Sequence, residues 1–166
     1  HFIDTFTMGN RRTVVGLRDA SRHFEKNILT HAQVERIAAS CVGMLEDNRG
    51  YLYFGLILLM TTGITISELC ALTWGSFSFS KTYAGIIVVE IMAETKLVGD
   101  VYRIEELNGP RRRTIPLPPA VAKFYHRVRD NAPNIQENAP FMRSFKNAAR
   151  RIRPDEFDRW LKGFFK

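Results

Sequence analysis

Three groups of residues in this sequence carry chemistry that an anion would answer to. Arg111, Arg112 and Arg113 are consecutive, and the stretch "FMRSFKNAARRIR" (141–153) gathers five cations, Arg150 and Arg151 among them, with no acid. Guanidinium groups present planar forks of N–H donors matched to phosphate oxygens, so both clusters read as candidate phosphate contacts. Thr65 and Glu68 form the third group, a T-x-x-E spacing. A hydroxyl and a carboxylate at that spacing either cap a helix start or stand beside a bound anion. The four histidines, His1, His23, His31 and His126, are scattered, and Cys41 and Cys70 fall in separate apolar patterns. No Cys/His set therefore has metal-ligand spacing, and neither a metal nor another cofactor is expected. Two cysteines make no disulfide framework; reduced thiols and a cytoplasmic location are expected instead.

The elements that must position these groups are legible from periodicity. "THAQ" places Thr30 as an N-cap with Gln33 three residues on, and Val34, Ile37, Ala38, Cys41, Val42 and Leu45 then share one helical face. Tyr51–Met60 is apolar on nearly every side, which predicts a central buried helix, with Gly63 supplying a left-handed C-cap. A short third helix runs through Glu68, Leu69 and Leu72 to Trp74, a residue read as a core anchor. Four β-branched or alternating runs follow, at 76–79, 85–91, 100–106 and 111–117, with turn-like "SKTYAG", "TKLVG" and "LNGP" between them. They predict a small antiparallel meander in which strand alternation sends Arg112 to the face opposite Arg111 and Arg113. After Pro118-Pro119 the helical period returns through Val121, Phe124, Tyr125 and Val128. A last helix carries Phe157, Trp160, Leu161 and Phe164 as a core-packing face. The class is α+β: a mostly helical domain with a small three-stranded antiparallel sheet.

Charge is distributed unevenly. Residues 1–29 hold five Lys/Arg against three acids, residues 30–106 five against nine, and residues 107–166 fourteen against five. The middle is thus net −4 and the last third net +9. This asymmetry fits a polyanion bound by the C-terminal part, or simply a basic soluble surface. Residues 1–28, with Arg11 and Arg12, read as a basic arm or linker, and residues 29–166 as one domain. No apolar run approaches the roughly 18–20 residues of a membrane span, so no membrane is expected as a partner. The chain opens at histidine rather than methionine, which reads as a fragment or a tagged chain.

"TTGITISELCALTW" (61–74) resembles the T-G-x-R-x-x-E-L-x-x-L-x-W block of the tyrosine recombinase (phage integrase) catalytic domain. "KNILTHAQVERI" resembles that family's "LT-x-x-E/Q" helix opening, and "GPRRRTIPLPPAVAKFY" its "S-x-R-x-I-P-L" strand running into the next helix. The three lie in the family's order over about residues 27–129. The resemblance implies the DNA breaking-rejoining fold, here incomplete at the C-terminus, and duplex DNA as partner, with self-association or a recombinase partner also possible. It implies chemistry in which a tyrosine attacks a phosphodiester while two arginines and a hairpin lysine hold the developing charge, with no metal.

The same resemblance exposes departures. Thr65 stands where the first arginine belongs, with Glu68 at the family's buttressing position. Counting back from "RTIPL" puts the lysine's place near Leu107, while Arg113 matches the motif arginine. No H-x-x-R occurs, and Tyr51, Tyr53, Tyr83, Tyr102 and Tyr125 all precede the nucleophile's place. Three readings are open: a DNA-binding, catalytically incomplete recombinase segment; an active integrase whose H-x-x-R and tyrosine lie beyond Lys166; and a protein-interaction module on a recombinase scaffold. Arg111, Arg112, Arg113, Arg11, Arg12, Arg150 and Arg151 are the candidate DNA contacts. For Arg111–Arg113 the alternative is a solvated hairpin edge that deters strand pairing.

Overall fold

A computed structural model describes residues 30–82, 84–132 and 135–165, so Arg11, Arg12, the basic arm and Tyr83 lie outside the described residues. Helix α1 (His31–Gly43) opens on the expected capping box: the Gln33 backbone N–H donates to the Thr30 hydroxyl, and the Thr30 N–H to the Gln33 side chain. Only Cys41 of this helix is fully buried, which puts α1 at the periphery. Helix α2 (Gly50–Thr62) is the central element, with Leu52, Phe54 and Leu58 fully inaccessible. Its start requires glycine, because a Cβ at Gly50 would stand 2.0 Å from the Leu45 carbonyl oxygen. Its end falls at Gly63, whose φ of 67° is the left-handed C-cap read from the sequence.

Helix α3 (Ile66–Ala71) leads through a 3-10 turn at Trp74–Ser76 into strand β1 (Phe77–Phe79). Strand β2 (Ile87–Ile91) pairs antiparallel with β1 on one side and with β5 (Arg113–Pro116) on the other, giving the order β1-β2-β5. Between β2 and β5 the chain makes a separate two-stranded hairpin, β3 (Ala93–Val98) and β4 (Val101–Glu106), turning at Gly99-Asp100. The three-stranded antiparallel sheet and the α+β class thus stand, but the single meander does not. "TKLVG" is strand for most of its length, and 100–106 pairs with it rather than with the main sheet. In "AETKLV" the alternating inward positions are Ala93 and Thr95 rather than large apolar residues, and Thr95 alone is buried, which is why the run reads as a turn.

Helix α4 (Pro119–Asp130) starts at proline, which lacks the N–H that a first helical position leaves unsatisfied anyway. It lays Val121, Tyr125 and Val128 on the core. There Phe54, Trp74, Phe77, Tyr125 and Phe141 form one aromatic cluster, with ring centroids 4.7 Å apart for Phe77–Tyr125 and 4.9 Å for Trp74–Phe141. Trp74 is 6% exposed and is a core anchor. Helix α5 (Pro154–Phe164) buries Phe157, while Trp160 meets Tyr53 edge-on. Among the described residues, no helix is long and apolar enough to cross a membrane.

Candidate nucleic-acid interface

Thr65 and Glu68 do two jobs with one geometry. The Glu68 N–H donates to the Thr65 hydroxyl (3.2 Å), and the Thr65 N–H donates to Glu68 Oε2 (2.9 Å), a complete capping box for α3. Glu68 is 3% exposed, and it also accepts both ends of the Arg113 guanidinium, at 2.8 and 2.9 Å. Burial pushes the Glu68 carboxyl up, but hydrogen bonds from Arg113 and the Thr65 backbone outweigh it, leaving the group below its ordinary value. Arg113 gives a third hydrogen bond to the Arg111 carbonyl (3.0 Å). Its charge is therefore used to hold strand β5 against helix α3. The two motif residues lie 45 positions apart, and the structure brings them together.

The other two arginines of the triplet are engaged as well. Gly109–Arg111 is a 3-10 turn, Arg112 closes it, and the strand begins only at Arg113, so the expected alternation of three strand residues does not occur. The turn takes the N–H groups of Arg111 and Arg112, which donate to Asn108 and Gly109 rather than to β2, and so delays the strand. Arg111 makes a bidentate pair with Glu94 (3.0 and 2.6 Å), and Arg112 donates to the Leu107 carbonyl and to Glu106. Leu107 itself is buried at 1% exposure, its N–H donating to the Met92 carbonyl. The hairpin that lies between β2 and β5 ends directly before Leu107. The cations it carries are Lys96, which pairs with Glu105 at 2.9 Å, and Arg103 opposite it.

The segment 141–153 is a pinned turn. The Phe141 N–H donates to Leu72, Ser144 to Arg150 and Ile152 to Met142, and Arg143 and Arg151 form a β-bridge. Glu156, buried in the first turn of α5, accepts from the Ser144 hydroxyl (2.9 Å) and the Phe145 N–H (3.0 Å). Arg151 Nη1 donates to the carbonyls of Cys70 (3.0 Å) and Leu72 (2.7 Å), satisfying acceptors that the C-terminal end of α3 leaves open. Burial pulls its guanidinium down from the usual value, since it has only neutral partners there. Arg143 lies 5.0 Å from the centroid of the Tyr51 ring, and Arg153 5.8 Å from that of Tyr102. Among the described residues, Lys146 and Arg150 meet no carboxylate at ion-pair distance; nor do Arg143 and Arg151, while Arg153 pairs with Asp155.

Two clefts flank this turn and share Arg150 and Arg153 as walls. One, of about 410 Å³, runs between the turn and the β3–β4 hairpin; the other, of about 530 Å³, is bounded by Phe145, Lys146, Arg159 and Trp160. The arrangement can grip anions and can offer aromatic edges beside them. Of the described tyrosines, Tyr51 and Tyr125 are buried, and burial pushes both phenols up, so neither is a ready nucleophile. Tyr53 is packed among Trp160 and Phe164, and Tyr102 faces Arg153. No cluster of His, Cys, Asp or Glu among the described residues could hold a metal ion. The carboxylates that quench Arg111–Arg113 gave no local signal in the sequence. The acid-free run 143–153 did give one, and the structure adds that it is anchored at both ends. Comparison with protein-family models, with curated proteins and with solved structures returns no match.

Proposed function

We propose that this chain binds double-stranded DNA through phosphate contacts from the pinned basic turn at 143–153, on a tyrosine-recombinase-like scaffold, and does not itself cleave the strand. The observation that carries the reading is the contrast in charge balance. Arg111, Arg112 and Arg113 each meet a carboxylate, whereas Lys146 and Arg150 stand open on an anchored loop without an acid in its sequence. Unmatched cations held in place are what counterion release on a duplex requires. The resemblance of 61–74 to the recombinase block supports the DNA assignment. Thr65, committed to the α3 cap, supports the absence of cleavage. Two buried free thiols, each pushed up to about 12 by burial, agree with a cytoplasmic setting.

Duplex affinity measured across a salt series tests this. The logarithm of the binding constant should fall linearly with log salt, by about 0.9 per phosphate contacted. Lys146→Ala with Arg150→Ala should flatten that slope by about two contacts, and Arg111→Ala should leave it near wild type. Absent or salt-independent binding overturns the proposal. A second reading, an active recombinase, is favoured by one observation: Lys96 is exposed on the β3–β4 hairpin, the kind of element on which the family's lysine sits. In that reading the H-x-x-R and the tyrosine lie beyond Lys166, and a covalent adduct trapped on a nicked duplex by a longer chain that carries them, and lost in Lys96→Ala, would establish it in place of the first.

A further inference from the structure

The cleft between the β3–β4 hairpin and residues 150–153 contains an unpaired donor that the fold alone does not explain. Thr95 is 6% exposed, and its hydroxyl has no hydrogen-bond partner. A buried hydroxyl left unmade is destabilising, and a fold stabilised only by its core would place valine there. Thr95 lines the cleft together with Tyr102, Arg150, Arg151 and Arg153, against the single acid Asp100. Arg151 is partly buried with only neutral carbonyl partners, so its charge too is unmatched. Arg153 is shared with Asp155 at 3.1 Å, so Arg150 and Arg151 are the unmatched guanidiniums; with the Thr95 hydroxyl around a cleft of about 410 Å³ they describe a cradle for a tetrahedral anion.

We propose that this cleft seats one phosphate group, with Arg150 gripping its oxygens, Arg153 joining it by exchanging Asp155 for the anion, and the Thr95 hydroxyl donating after a single χ1 rotation. Arg151 adds charge from behind while its Nη1 stays on the α3 carbonyls. This rests on the DNA-binding reading, in which the phosphate is a backbone phosphodiester; free inorganic phosphate offers the same tetrahedral oxygens and is the other source. The hairpin is then one jaw of the site, and the basic turn is the other.

Two assays on the whole chain separate the possibilities: duplex binding across roughly 50–200 mM salt, and amide NMR with inorganic phosphate. Thr95→Val should weaken duplex binding about tenfold, the scale of a hydrogen bond to a charged group, with the salt slope unchanged because a hydroxyl displaces no counterion. Arg150→Ala should lower that slope by about one. Thr95→Ser, which keeps the hydroxyl, should bind as wild type. Inorganic phosphate should shift the Thr95 and Arg150 amides in wild type, and in Thr95→Val the Arg150 shift should need about tenfold more phosphate. Thr95→Val should melt at or above the wild-type temperature, so its weaker binding would not reflect unfolding. Wild-type duplex affinity in Thr95→Val, with no phosphate shift at Thr95, overturns the cradle while leaving the DNA reading intact. A phosphate shift without duplex binding upholds the cradle as a free-phosphate site and overturns the DNA reading instead.

Discussion

A carboxylate as buried as Glu68 must find a full set of donors or give up its charge, and here both oxygens are supplied, by Arg113 and by the Thr65 N–H. Removing Arg113 strands that charge. Arg113→Ala should destabilise by about 2–3 kcal/mol, below the full cost of a broken buried pair because the guanidinium is about a third exposed. Glu68 sits below its unfolded value, so its contribution is present above that value, about 4.3, and fades as pH falls through the lower folded one. In Arg113→Ala the Thr65 hydrogen bonds remain but burial is less opposed, so the folded value rises toward or past the unfolded one, and the loss of stability on acidification should shrink or reverse. Urea unfolding of both proteins between about pH 3 and pH 7 measures this window; identical pH profiles would contradict the assignment. At this scale the sequence was half legible. The T-x-x-E cap is local and readable from spacing, but its ion-pair partner Arg113 is 45 positions away on strand β5, and no spacing rule reaches that far.

Elements differ in how much of their own structure holds them. Helix α2 is buried on nearly every side, whereas in the β3–β4 hairpin only β3 packs on α3, and Leu97, Val98, Val101 and Ile104 are substantially exposed. A two-stranded ribbon is marginal alone, and cross-strand contacts such as Lys96–Glu105 add only about 0.2–1 kcal/mol each. Hydrogen exchange should therefore show β4 amides opening well below the global free energy, and α2 amides only with global unfolding. Equal protection in the two would contradict this ranking. Phosphate seated in the proposed cradle would slow exchange on the hairpin face nearest Thr95. Sequence patterning recovered the helices, because caps and a 3.6-residue period are local and strong. It misses the hairpin because the one buried position of β3 is polar Thr95, so no large apolar residue marks the inward face. It misread Arg111–Arg113 because the preceding Gly109-Pro110 turn delays the strand by two residues.

On the scale of the whole molecule, the two cysteines report on different depths of one core. Cys41 lies on peripheral α1 and Cys70 on α3 beneath the basic turn; both are fully inaccessible, and burial pushes both thiols up to about 12. A thiol reagent can reach neither without an opening, and the thiolate that reacts forms only once the chain opens. Opening α1 exposes Cys41 while the sheet and central helix remain. Reaching Cys70 requires the turn held by Arg151 and Glu156 to leave first. Labelling under native conditions should be slow for both and slower for Cys70. Added urea should steepen the Cys70 rate by the global m-value and the Cys41 rate by less. Their raised folded values also set the alkaline limit. The unfolded thiols ionise near 8.5 while the folded ones stay neutral, so stability is complete below that pH and falls as pH climbs toward 12. Cys70→Ala should remove one part of that alkaline slope at the cost of a small cavity, and Cys41→Ala another, leaving the part that the buried phenols of Tyr51 and Tyr125 contribute. Equal labelling rates at the two positions across the urea range would mean that α1 and the basic turn open together. The surface proposed to meet DNA would then be no more firmly held than the edge of the domain.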